Sequence, residues 1–428
     1  MSAPGIAARR AAADLLSGVV DRHESLADQL AASNRKREDL DPAERARAQS
    51  LATRTLRHLD RIDALLGQFL DRAPPKPARN ALRLAVAEVH LDGIPPHAAV
   101  DGAVRLAKSH QKSRHLSGLV NAVARRAANA TAEWHSAETV PTQDWLSARI
   151  EAIYGTDPAV AIQAVHRTEP PLDLTPRRPA EAEDIAAELG GQLLPTGSIR
   201  LENPGRVTEL AGFEEGKWWV QDAAAALPAR LLGKVRGEKL LDLCAAPGGK
   251  TLQLAAAGGQ VTALDVSSRR LKRLRENLAR TKLPARIVTA DALSWGPDAT
   301  FDAILLDAPC SATGTLRRHP DLPHIRKPED VASLVTLQRD LLTRAWDWLA
   351  PGGRLIYCTC SLLPEEGEAQ ISAFLESQPS ARLGVVETDA LGIAPDWLDA
   401  AGSLRLRPDF WAERGGMDGF YAAVLHKM

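Results

Sequence analysis

The residues able to do chemistry fall at one kind of place, directly after short apolar runs. Asp307 and Cys310, in DAPC, follow the run 301–306, and Cys360, in CTCS, follows 354–358. Asp265 closes the run 261–264, and Asp291 comes three residues after 285–288. Lys250 follows 240–243 across CAAPGG. Between these runs lie segments of helical periodicity, so the runs read as strands of a parallel α/β sheet. Ligands of such sheets bind outside the carboxyl ends of the strands. One acid there means little; three acids and two thiols are hard to place there by chance.

The stretch 239–251, KLLDLCAAPGGKT, reads as strand, small-residue turn and helix start. Glycine lets a backbone approach a ligand closely, and a helix N-terminus offers free N–H groups. The pattern therefore suits a nucleotide-like ligand. A phosphate-binding P-loop needs glycine five residues before Gly249, where Cys244 stands, and GxGxxG is absent. A pocket for a methyl donor, S-adenosylmethionine, is the reading left; the bland alternative is an ordinary strand-to-helix turn. Asp265, at the second strand end, suits the two hydroxyls of a ribose, and Asp291 suits an adenine amino group.

Thiols at strand ends suggest covalent catalysis. Carbon 5 of a pyrimidine is a poor nucleophile, but a thiolate added at carbon 6 makes it enamine-like and able to attack a methyl sulfonium. A base then removes the carbon-5 proton and the thiol leaves. A free thiol has a pKa of about 8.5, so nearby positive charge helps, and Lys250 is the candidate. Cys358 reads as a buried strand residue. Cys310, after proline in a loop, reads as facing the cleft. Spacing alone leaves open which thiol attacks. A CxC pair without partner ligands argues against a metal site.

The chain is 428 residues long, enough for two or three domains, with 45% hydrophobic and 25% charged residues. It contains no 18-residue apolar run and starts without an apolar leader, so no membrane association is expected. Four cysteines do not suggest a disulfide framework, and a reduced cytoplasmic setting is expected. The net charge of −1 argues against strong nucleic-acid binding by charge alone. Residues 1–138 carry 21 Lys and Arg against 16 Asp and Glu, a net +5, so the front end is mildly basic.

Residues 1 to about 130 read as short helices broken at Pro42, at 74–77 and at Pro95-Pro96, and so as an all-α bundle. The polar stretch 131–143 reads as a linker, and 145–153 as a helix. The stretch 216–232, GKWWVQDAAAALPARLL, reads as strand into helix, with Trp218 and Trp219 in the core and Gln221 and Asp222 positioned to line the pocket. His97 and Asn121 read as capping or satisfied polar residues rather than RNA contacts, and the basic helix 267–281 reads as a solvated face.

The motifs DLCAAPGGKT, DAPCSATGTLRRHPD, YCTCSLLPEE and GGMDGFYAA resemble the Sun/Fmu (RsmB-like) group of bacterial RNA cytosine carbon-5 methyltransferases. IPPHAAVDGAVRLAK and LSGLVNAVARR resemble the NusB-like RNA-binding domain. The resemblance covers essentially the whole chain. It implies a Rossmann-like class I methyltransferase domain at 235–428, a linker and smaller subdomain at 139–234, and an all-α NusB-like domain at 1–138. It implies transfer of a methyl group from S-adenosylmethionine to a cytosine of small-subunit ribosomal RNA, by a monomer. Cys360 would be the nucleophile and Cys310 would assist release; DNA cytosine methyltransferases instead use the Pro-Cys cysteine. Asp307 would contact the cytosine, with Lys250 nearby. Cys244, Ala245, Ala246, Pro247, Gly248, Gly249, Lys250, Asp265, Arg270, Asp291 and Asp307 would hold the donor. Arg317, Arg318 and His319 would lie in a substrate-facing loop. The chain departs at Gly367, where relatives more often carry asparagine, which bears on any role for that loop. The same chemistry on tRNA, or a non-catalytic RNA-binding assembly factor, are the rival functions.

Overall fold

A computed structural model describes residues 5–32, 40–137 and 145–428. The chain divides into two compact units. The first holds Met1–Glu151 and Leu316–Lys327; the second holds Ala152–Thr315 and Pro328–Met428. Leu316–Lys327 thus belongs to the first unit although it lies deep in the second half of the sequence, a return that no contiguous division of the chain expresses.

The first unit is helical, as its apolar periodicity predicts. Its longer helices are Ile6–Arg22, Pro42–Arg57, Lys76–His90, Pro96–Ser109 and Ser117–Asn129. Pro42, Pro77 and Pro96 all stand in first turns, where proline's missing N–H costs nothing. Alanine and leucine faces close one apolar core. Glu88 is buried in it and takes Arg9 at 2.9 Å and Arg47 at 3.2 Å. The expected linker begins instead as a helix, Thr131–Ser136. Trp134 is buried there; Arg61 donates to its carbonyl and lies 3.8 Å from its ring centroid. Burial of that indole outweighs the polar composition around it. The rest of the linker, with Pro141, lies outside the described residues.

Leu316–Lys327 is held in this unit by polar contacts. Asp321 accepts from the Leu26 N–H at 2.8 Å, at the start of helix Leu26–Ala31. Arg57 donates to the Arg317 carbonyl at 2.8 Å. The Arg317 side chain is fully buried.

The second unit carries two sheets. The smaller is antiparallel, in the order β2-β3-β1-β4, from Leu172–Pro176 (β1), Gln192–Leu193 (β2), Ile199–Leu201 (β3) and Trp218–Val220 (β4). Trp218 and Trp219 are core residues, 0% and 2% exposed, as read from the sequence. A buried Asp173–Arg200 pair at 2.7 Å ties this sheet to the Arg414 and Gly416 carbonyls, just before and within the GGMDG turn.

The larger sheet contains Lys239–Leu243 (β5), Gln260–Asp265 (β6), Arg286–Thr289 (β7), Phe301–Asp307 (β8), Leu349–Thr359 (β9), Ala381–Leu383 (β10), Leu404–Leu406 (β11) and Phe420–Lys427 (β12). Its order is β10-β12-β9-β8-β5-β6-β7, with β11 also on β12. The pairs β9/β8, β8/β5, β5/β6 and β6/β7 are parallel; β12 is antiparallel to β9. The core strands are near-continuous apolar runs because helices cover both faces. Helix Ser268–Thr281 shows the coupling of pattern to packing: Leu271, Leu274 and Leu278 are buried on one side while Arg269, Arg273 and Arg275 are exposed on the other.

Replacing Asp321 by alanine strands the Leu26 N–H. The expected outcome is a loss of about 1–2 kcal/mol in urea unfolding of the helical unit. An unchanged midpoint would show that another acceptor serves that N–H.

Candidate active site

Chain order along the sheet reverses about β5: β6 lies on one side and β8 on the other. A crevice opens at such a switch point, beyond the carboxyl ends of the strands. Every acid and thiol singled out in the sequence lies at those ends.

The turn after β5 forms the cradle. Cys244 takes positive φ, 63°, and Ala245 and Ala246 are buried behind it. Pro247 is exposed, and the Ala246–Pro247 bond is cis. Gly248 has φ 109° and begins helix Gly249–Ala256; a Cβ there would come within 2.2 Å of Leu274. Only glycine fits such a turn. Asp265, almost fully buried, accepts from the Ala246 N–H at 3.1 Å and the Ser267 N–H at 2.8 Å. Arg270 lies 3.5 Å from the Asp265 carboxylate and donates to the Ala246 carbonyl. Asp291, exposed one strand further along, accepts from the Leu293 N–H at 3.0 Å.

Asp242 was legible only as an acid inside the apolar strand before the cradle. It is fully buried, with Oδ2 accepting from Thr251 Oγ1 at 2.5 Å. Its Oδ1 is buried with no hydrogen-bond partner. Burial pushes its carboxyl up to about 7, partly offset by the Thr251 hydroxyl.

Lys250 reaches from the helix start to Asp307 at the end of β8, Nζ to Oδ2 2.8 Å. Burial acts to lower the Lys250 pKa, but Asp307 and other neighbouring groups raise it further, so the ammonium stays protonated. Phe420 of the tail motif lies with its ring centroid 5.1 Å from Nζ. The sulfur touching this pair is Cys358, 3.5 Å from Asp307 Oδ1. Cys358 is fully buried in the sheet, as its strand position predicts, and burial raises its pKa. The expected role of Lys250 in activating an attacking thiolate is therefore not what the contacts display; its charge is engaged by Asp307.

Cys310 and Cys360 converge, Sγ to Sγ 3.4 Å, and both are half-buried. The Cys310 thiol is raised, first by its hydrogen bond with Cys360 and then by burial. Cys244 is raised by burial, which makes it an inert thiol.

Other expectations resolve differently. Gln221 is buried with its side chain against Gly249 of the cradle, and it spends its amide on Thr175, Trp219, Ala225 and Gln253. Asp222 caps helix Ala223–Arg230 through the Ala224 N–H. Arg317 is fully buried, whereas His319 is exposed. In the first unit, His97 is exposed, and Asn121 accepts from Arg125 at 3.3 Å. Gly367 has a packing reason: a Cβ would sit 2.6 Å from Arg405 and 2.8 Å from the Tyr421 ring, where Arg405 pairs with Glu368.

Two family descriptions match. That of 16S rRNA methyltransferase RsmB/F covers residues 229–426, and that of the NusB family covers 6–129. The ribosomal RNA small subunit methyltransferase B of Vibrio cholerae is 36% identical over 98% of this chain and 97% of its own. This chain belongs to the RsmB/F family of 16S rRNA methyltransferases. The corresponding protein of Citrobacter koseri is 37% identical over 98% of each chain. A solved methyltransferase homologue from Pyrococcus horikoshii is 28% identical with a TM-score of 0.56, covering 66% of this chain and 94% of that one. The RsmB/F assignment carries S-adenosylmethionine as cofactor and matches the all-α front and Rossmann-like back expected from the sequence.

Asp242 yields a pH prediction. Its folded pKa of about 7 lies above the ordinary 3.8, so between those values the folded protein holds a proton that the unfolded chain has lost. Stability therefore falls as pH rises through that window. Asp242→Asn removes the fall: the variant should match the parent near pH 4 and exceed it at pH 8 in urea midpoint. Parallel pH curves for the two proteins would contradict the buried, uncharged acid.

Proposed function

We propose that the chain transfers a methyl group from S-adenosylmethionine to carbon 5 of a cytosine in 16S rRNA through a covalent cysteine–cytosine adduct. One observation carries the reading: two free thiols 3.4 Å apart at the carboxyl edge of the sheet, beside a nucleotide-type cradle. The geometry suits thiol addition and return better than a binding module, which needs neither sulfur.

The cradle residues fit the donor. Asp265, with Arg270 beside it, would hold the ribose, and Asp291 the adenine. Residues 244–249 offer a close backbone approach. When bound, the donor supplies an electrophilic methyl group.

Cys360 adds as thiolate to carbon 6 of the cytosine, forming a C–S bond and placing electron density on carbon 5. Asp307, with Lys250 fixing its orientation, holds the base edge. Carbon 5 takes the methyl group as its bond to the donor's sulfonium sulfur breaks, leaving a neutral thioether, and carries both the methyl and its original proton. Cys310 assists removal of that proton, the double bond re-forms, and the Cys360 sulfur leaves as thiolate.

Cys360→Ala should abolish methyl transfer from labelled donor to 16S rRNA by at least about 10³-fold while donor binding survives. Retained turnover would sink the nucleophile assignment. Cys310→Ala should accumulate a protein–RNA adduct, read as a denaturing gel shift; free turnover would contradict its part in release. Methylation of tRNA in preference to 16S rRNA would redirect the substrate.

A further inference from the structure

Each sulfur of the pair sits in a loop just past a strand end, not inside a strand. Loops wander more than strands, and misplacing a reacting group by 1 Å costs on the order of 100-fold in rate. Something must set the separation. The residues immediately after the cysteines are Ser311 and Ser361, and one side chain touches both. Glu366 is fully buried. One carboxylate oxygen accepts from the Ser311 N–H at 2.8 Å and from the Gln338 amide at 3.0 Å. The other accepts from the Ser361 hydroxyl at 2.5 Å and from the Ser311 hydroxyl.

The rest of the bracket is equally tight. Thr313 Oγ1 accepts from the Leu362 N–H at 2.9 Å and lies 3.2 Å from Ser361 Oγ. Gly314 N–H donates to the Cys360 carbonyl at 3.0 Å. The Glu366 carbonyl is itself held, by Tyr357 at 2.9 Å and Thr359 at 3.1 Å. Gln338 also donates to the Pro309 carbonyl at 2.8 Å, on the residue before Cys310. A carboxylate buried among hydroxyls and amides is expensive to desolvate unless every lone pair is used. Here each oxygen receives two donors, and the donors come from both cysteine loops and from helix Pro328–Trp348, which carries Gln338.

We propose that Glu366 is the positioning residue of the reaction, a buried clamp whose carboxylate joins the loops after Cys310 and Cys360 and so sets the distance between the two sulfurs. The role rests on the two-cysteine reading above. It accounts for a side chain that touches neither cradle nor sulfur, yet whose oxygens bond the residue next to each thiol. It also separates Glu366 from Glu365, its neighbour of identical chemistry.

The test uses the full chain, 16S rRNA and labelled donor under single-turnover conditions. Glu366→Ala should slow methyl transfer about 100-fold. The KM for rRNA and the Kd for S-adenosylhomocysteine should stay within about twofold, because no cradle residue is touched. Glu366→Gln should recover to within about fivefold of the parent, since its amide can accept at one end and donate to both hydroxyls at the other. Parental speed in Glu366→Ala overturns the proposal, as does a rate loss matched by an equal loss of donor affinity. If Glu366→Ala gives no cooperative melt, Ser361→Ala decides. It cuts one tether and leaves the carboxylate, so about tenfold slowing supports the clamp and parental speed overturns it. Cys310→Ala, run in parallel, separates the two failures. A trapped adduct there with Glu366→Ala at full speed defeats the clamp alone. Free turnover without adduct defeats the two-cysteine reading, and the clamp with it.

Discussion

Parallel pairing of β5, β8 and β9 is the constraint on which the site depends. Parallel strands run out at the same edge, so whatever follows each of them is delivered to one crevice. Asp242 lies opposite Leu305 in this ladder, and Asp307 opposite Cys358. The register brings Asp307 within reach of Lys250, and it buries Cys358 while letting the chain turn out of the sheet before Cys360. An antiparallel arrangement of the same runs would scatter these side chains between opposite edges. The antiparallel β12 adds the tail motif, which sets Phe420 beside Lys250.

Charge is handled in three ways within this edge. Lys250 and Asp307 neutralise one another, which lets an ammonium exist where burial alone would strip its proton. Asp242 has no cation at hydrogen-bond distance and responds by holding its proton toward neutral pH. Glu366 collects four hydrogen-bond donors. These are the ways a folded chain keeps carboxyl groups out of water, and the surroundings select which applies.

The first unit matters to chain organisation in a way its helices alone do not reveal. The segment Leu316–Lys327 lies only a few residues beyond Cys310, yet Asp321 and the Arg317 carbonyl bond Leu26 and Arg57, more than 250 residues earlier. Arg317, which the motif suggests for substrate contact, is buried there.

Local sequence determined the periodic elements and the strand ends. Apolar runs, glycine turns and helix-starting residues depend on neighbours a few positions away, so the strands β5 to β9 and the helical character of the first unit were readable. The placement of Asp265, Asp291, Asp307 and both thiols at the carboxyl ends of strands was readable for the same reason: a parallel sheet brings those ends to one edge. Only tertiary structure decided the partnerships across that edge. It gave Lys250 to Asp307 rather than to a thiol, turned Gln221 inward, made a helix of Thr131–Ser136, and chose Glu366 over Glu365. Each of those outcomes depends on groups tens to hundreds of residues apart in sequence, meeting in a low-dielectric interior where an unpaired polar atom is costly, and no pattern of spacing encodes which atoms will meet.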